Sequence, residues 1–206
     1  MTYGEGINDA ISGTVQAIGV FYGITVGLIA VGVWNTNSTG SDVASREASA
    51  IRVLYRDVGG YPAPVRDELR ARLREFTVFI IEKAWPAQRV GNGQFLKEGT
   101  QVLDDFESRL FAFEPSTQGQ TALHGEVLAA YNRLLEYRRL RIEALDSGLS
   151  DVMWGIIWAG AAISIGVAYL FKIDDPRLHA LLIGLMAGFL ALVLLMITIN
   201  DRPFFG

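Results

Sequence analysis

Along this chain the apolar residues gather into blocks, without the short-range alternation of a soluble core. Three blocks, over 13–34, 152–171 and 178–199, carry no Asp, Glu, Lys or Arg, and each has the roughly 20 apolar residues that a helix needs to cross a bilayer. After Trp34 the sequence turns small and polar through "NTNSTGSDVASREASA", then amphipathic through "IRVLYRDVGGYP". Nothing stops a helix before Gly59 and Gly60, so one long helix continuing well past the membrane is expected. Pro62 and Pro64 restart the chain, because proline ends what precedes it and is tolerated in a first turn. From Val65, the residues Leu69, Leu73, Phe76, Phe79 and Ile80 recur at steps of three and four, with Arg66, Asp67, Arg70, Arg72 and Glu75 on the other side. That spacing predicts an amphipathic helix ending near Trp85 and Pro86.

A loop is expected over 88–95 and a shorter helix over 96–113, followed by a break with a cap at Glu114, Pro115 and Ser116. Beyond it Leu123, Val127, Tyr131, Leu134, Leu135, Ile142 and Leu145 form one stripe, predicting a helix that leads straight into the second span. Only "KIDDPR" separates the second and third spans, which must form an antiparallel hairpin. No useful β-alternation occurs. The expected fold is all-α: a polytopic membrane protein with three transmembrane helices extended into a cytoplasmic helical bundle. Its parts are residues 1–34, the outer N-terminus and first span; 35–150, the cytoplasmic helical region; and 151–206, the transmembrane hairpin with a short cytoplasmic C-terminus.

Composition and charge sharpen that picture. Hydrophobic residues make up 50% of the chain and the mean hydropathy is +0.28. Arg46 and Arg52 follow the first span, and Arg133, Arg138, Arg139 and Arg141 precede the second. By the positive-inside rule that face is cytoplasmic, which puts the N-terminus outside a cell inner (plasma) membrane. The first span is too long for a signal-peptide core and has neither a basic lead nor an A-x-A site, so it is expected to be retained. A net charge of -4 gives no support for nucleic-acid binding. There is no cysteine, and no nucleophile elbow, HExxH, phosphate loop or membrane carboxylate pair, so an enzyme is not expected. No cofactor and no metal site are expected either. The run Asp104, Asp105, Glu107 lacks the alternating ligands and glycine of a calcium loop and reads as a solvated helix face. His124 and His179 form no evident pair. "EYRRLR" at 136–141 either meets anionic headgroups or serves the positive-inside bias while pairing with Glu136 and Glu143. Trp34, Trp154, Trp158, Phe204 and Phe205 fit interfacial anchoring.

Several stretches carry a resemblance: "IGVFYGITVGLIAVGVW", "REASAIRVLYRDVGGYPAPVRDELRARLREFTVFIIEKAWP", "LEYRRLRIEAL" and the terminal "DRPFFG". The chain resembles the bestrophin-like domain family of small prokaryotic membrane proteins, from about Asn8 to Gly206. Its most specific pieces are the pattern over 54–66, the pair Trp85-Pro86, and Asp201, Pro203, Phe204 and Gly206 at the end. Members of that family commonly carry a further apolar helix upstream. The distant relation to bestrophins implies an oligomeric ion channel whose central pore is lined by a long helix running from membrane to cytosol.

The first span has the make-up for that role. At steps of three and four, one face reads Asp9, Ser12, Gln16, Gly19, Gly23, Gly27, Ala30, Trp34 and Asn37. Glycines at this spacing form a surface on which helices approach closely, and Gly184 and Gly188, with Gly155, Gly160 and Gly166, add to it. The flanking Gln16 at membrane depth and the "NTNST" segment suit the wall of a wet passage. In an assembly of several copies, expected to be a tetramer or pentamer, rings of Gln16, of Asn35 or Asn37, and of Ser38 or Thr39 would stack around the axis, with a hydrophobic constriction at Val20, Ile24 or Leu28. The expected partners are other copies of the chain, the lipid bilayer and monovalent ions. Glu5 and Asp9 at the outer mouth would gather cations, whereas the resemblance implies anions. The competing expectation is a non-conducting membrane scaffold or sensor acting through its cytoplasmic helices over 65–83 and 116–145.

Overall fold

The computed structural model describes residues 3–89, 96–145, 147–170, 173 and 175–201, with side chains from residue 12 onward except at 89, 96 and 97. Its helices are α1 (Tyr3–Val58), α2 (Val65–Phe79), a π-helical turn (Ile80–Ala84), α3 (Trp85–Arg89), α4 (Leu96–Phe111), α5 (Gln118–Leu145), α6 (Asp151–Tyr169) and α7 (Pro176–Asn200). No strand occurs among the described residues. Three helices are long and apolar enough to cross a membrane, within α1, α6 and α7. As expected, α1 runs unbroken from the first apolar block to the glycine pair. Among the described residues the chain divides into two compact units: one of the residues up to Asn37 with those from Gly148 onward, and one of Ser38–Ser147.

In the apolar unit the first half of α1 packs on α6 and α7 through a small core. Val26 and Val33 are buried with Ile157, Ala161, Leu194 and Ile197. Tyr22 lies over Gly160, and its hydroxyl donates to the Ile157 carbonyl at 2.8 Å. In lipid such close packing and satisfied polar groups replace the hydrophobic drive. A Cβ at Gly160 would overlap the Tyr22 ring. Gly160→Ala is therefore expected to lower the thermal midpoint of the detergent-solubilised protein, and Tyr22→Ala in the same chain to relieve part of the loss; differential scanning fluorimetry checks both.

The ends of the hairpin are fixed by polar groups. Ser150 caps α6 by accepting from the Met153 amide, and Asp175 caps α7 by accepting from Arg177 and Leu178, with Pro176 in the first turn. Asp201, 8% exposed, accepts from the Leu149 amide at 2.6 Å and from Trp154 Nε1 at 3.3 Å. Its carboxylate thus ties the end of α7 to the start of α6.

The polar unit has its own core. Leu54 and Val58 of α1 meet Leu69, Leu73 and Phe76 of α2, Leu103, Phe106 and Leu110 of α4, and Val127, Tyr131 and Leu134 of α5. The five apolar positions predicted for the helix after Val65 are all buried. Three boundaries differ from expectation. Pro86 does not end a helix: the π-helical turn lets the Trp85 amide bond the Ile80 carbonyl, and Pro86 falls in the first turn of α3, where its missing N–H costs nothing. The cap of α5 is Thr117, whose hydroxyl accepts from the Gln120 amide at 3.2 Å, while Gln120 reaches back to the Ser116 amide at 2.8 Å. Finally, α5 does not run into α6. Ser147 turns its hydroxyl onto the Ala144 carbonyl at 2.6 Å and Ser150 caps anew, so short polar side chains outcompete the helix over 147–150. Of the expected loop over 88–95, Gln88 is helical and residues 90–95 lie outside the described residues.

At the glycine turn, the Tyr61 hydroxyl and His124 Nδ1 share a hydrogen bond of 2.6 Å in an aromatic box with Phe113. Burial pushes the Tyr61 phenol up to about 12; burial, then the Glu107 and Asp104 carboxylates, push Tyr131 higher still. An unfolded tyrosine titrates near 10, so both phenols favour folding fully below that value and lose their contribution as pH rises through the folded values. The polar unit is expected to hold its helicity to about pH 10 and lose stability between about pH 10 and 12, with tyrosinate absorbance and circular dichroism as the paired readouts.

Candidate functional site

The candidate pore wall is a strip of α1. At 100° per residue, Gln16, Gly19, Gly23, Gly27 and Trp34 fall within an arc of about 80°, beside the arc of Tyr22, Val26 and Val33 that meets α6 and α7. Nothing lies within 4 Å of where a Cβ would stand at Gly19, Gly23 or Gly27. Gln16 and Ser38 are exposed, Trp34 is 62% exposed and Val20 54%. The glycines are therefore not used to pack α1 within its own chain; Gly160 serves that purpose. Val20 lies at the far edge of the strip, away from α6 and α7. Asn37 sits on the opposite border, half-buried, and donates from Nδ2 to Asn200 Oδ1 at 2.8 Å, so its amide faces α7 within the chain. Asp9 falls in α1, but its side chain lies outside the described residues. Phe204 and Phe205 lie outside them altogether.

Beyond Trp34 the same helix carries Ser38, Ser41, Ser45 and Ser49, all exposed. Asp42 and Arg46 pair at 2.8 Å one turn apart, leaving the hydroxyls as the dominant chemistry of this part of the helix. An open groove of about 410 Å³ runs beside it, floored by Ala50, Val53 and Ala130 and rimmed by Ser45, Ser49 and Arg133.

What sequence reasoning missed lies under this surface. Glu47 and Arg141, 3% and 2% exposed, form a buried ion pair. The guanidinium also donates to Gln88 Oε1 at 2.9 Å, joining α1, α3 and α5. Arg138 stands one turn away, donating to Thr100 at 3.1 Å; burial, then Arg141, lower its guanidinium below the ordinary value against the pull of Glu47. The signal was present: Arg141 is seven residues after Leu134 and Glu47 seven before Leu54, each on a core stripe where an apolar residue would ordinarily stand.

Among the described residues no three His, Cys, Asp or Glu side chains cluster as metal ligands. Asp104 and Asp105 are exposed on α4, Asp105 3.7 Å from Arg72. His124 is held by Tyr61, and His179 Nε2 lies 3.5 Å from the Ala168 carbonyl. Arg139 pairs with Glu143 at 3.2 Å.

No curated protein and no solved structure matches the chain. A family model does, over residues 2–206. With its membrane-length helices and the long α1, this chain belongs to the family defined by the bestrophin-like domain.

Proposed function

We propose that several copies of this chain assemble around an axis and conduct monovalent ions, with α1 of each copy as the wall of the pore and its polar continuation as the exit toward the cytosol. The carrying observation is the strip Gln16, Gly19, Gly23, Gly27, Trp34, which the chain's own packing leaves unfilled while the neighbouring face of the same helix is buried. Small residues flanked by an amide on one side and a row of hydroxyls on the other suit a helix that approaches its own copies and borders water. The positive-inside bias orients the polar unit to the cytoplasm of the inner membrane. Membership of the family supports a channel-related role. The diversion of Asn37 to Asn200 removes one of the proposed polar rings and leaves Gln16 and Ser38 to carry the polarity.

A scaffold or sensor remains the second reading, favoured by the independent, well-filled core of the polar unit. The purified protein discriminates the two. A particle of at least four chains in detergent, with current in planar bilayers that changes at least threefold in Gln16→Leu, is the result expected of a channel. A monomer or dimer without current assigns the function to the polar unit, and the reversal potential in a salt gradient gives the sign of the permeant ion.

A further inference from the structure

The C-terminal end of α1 and the start of α2 gather arginines around one tyrosine. Arg52 and Tyr55 are three residues apart on α1, so they are surface neighbours, and Arg56 completes the turn. Arg66, Arg70 and Arg74 recur at every fourth residue of α2 on the flank that meets Tyr55. Arg70 carries its guanidinium 4.9 Å over the Tyr55 ring, and Arg74 Nη2 donates to the Tyr55 hydroxyl at 3.3 Å. Gly59 makes the approach possible, since a Cβ there would collide with the Arg70 guanidinium.

Two carboxylates are paired within this cluster: Asp57 to Arg56 at 3.0 Å and Asp67 to Arg66 at 2.8 Å. Arg52, Arg70 and Arg74 have no carboxylate within 4 Å among the described residues, and Arg70 Nε is buried with no hydrogen-bond partner. The Arg66 guanidinium, then Arg70, hold the Asp67 carboxyl below the usual range, as a local positive field requires. In a chain of net charge -4, two guanidiniums on one ring and a third one helical turn along, none with a carboxylate partner, are a marked segregation of charge.

We propose that this cluster binds a polyvalent phosphate group. Guanidiniums present planar forks that match phosphate oxygens two at a time. Tyr55 holds two of them on its face and hydroxyl, so less side-chain freedom is lost when an anion arrives. Arg70 Nε, a buried donor left unsatisfied within the chain, marks a guanidinium that no protein carboxylate holds. The same chemistry is offered by a soluble oligophosphate and by an anionic lipid headgroup. This reading is independent of the pore, and its test reads binding, not current.

The full chain in zwitterionic nanodiscs is titrated with sodium tripolyphosphate by calorimetry at low and moderate salt. The expected result is binding that weakens steeply with salt and falls at least tenfold in the double variant Arg52→Gln/Arg74→Gln, both exposed positions outside the core. Arg70→Lys keeps the charge but loses the fork, and is expected to give an intermediate loss. Arg139→Gln on α5, also exposed, is expected to bind as wild type; circular dichroism and particle size confirm that each variant is folded. Patch-dependent attachment to phosphatidylglycerol vesicles without binding of free tripolyphosphate assigns the phosphate to a headgroup, and the reverse pattern to a soluble ligand; either supports the proposal. Absence of both, equal loss in Arg139→Gln, or polyglutamate bound as tightly as tripolyphosphate overturns it.

Discussion

Arg141→Met is expected to destabilise the polar unit by about 3–5 kcal/mol, because it removes one partner of a buried pair and strands the other. Glu47 is 3% exposed, and without Arg141 its carboxylate loses two charge-assisted bonds while gaining no access to water. Gln88 loses a partner as well. The substitution leaves Arg138, which feels the Glu47 charge, and Arg138 already donates to Thr100. Replacing both members, Glu47→Leu with Arg141→Met, removes both charges together and is expected to recover most of the loss, since well-packed apolar residues can match a buried ion pair in stability. The measurement is a double-variant cycle on urea unfolding of the polar unit's helicity in detergent. Strong non-additivity is expected; costs that simply add would mean that the two side chains do not act as a pair.

The pair also marks where the sequence stopped being legible. Period and length were enough for the long α1, the hairpin of α6 and α7, and the buried face of α2, because in each the apolar residues outnumber the exceptions along one stripe. Arg141 reads as one more charge in a basic juxtamembrane run, and Glu47 draws no reading of its own, for the same reason: each is a single exception, and a one-dimensional stripe does not show that two exceptions on different helices cancel. The π-helical turn over 80–84 was invisible because it changes the register without changing the composition, and so Pro86 read as a stop. The break between α5 and α6 depended on serine hydroxyls choosing backbone partners, a local competition that propensity averages away. On the candidate strip, glycine spacing identified a surface for close approach, but not which glycines serve the chain itself. Tyr22 settles that for Gly160 by filling the space above it. Asn37 could be placed on the strip by its register, yet it sits on the border between two faces, and only the position of Asn200 decides which it serves.

That division between internal and external glycines yields the second large effect. Gly23→Leu is expected to leave the single chain intact, since nothing lies within 4 Å of the new Cβ and the exposed face has room for the rest of the side chain. Its cost falls on assembly, where a surface of small residues lets helices approach closely and an added isobutyl group holds them apart. Particle mass should therefore drop to that of fewer chains, or current in bilayers should fall at least tenfold, with helicity unchanged. Phe21→Leu, a reduction in size at a position 73% exposed on another face of the same helix, should alter neither. Gly160→Leu should show the opposite pattern, since its added side chain collides with Tyr22 and disturbs the chain before assembly begins. If Gly23→Leu keeps both mass and current, the strip faces lipid, and α1 cannot be the pore wall.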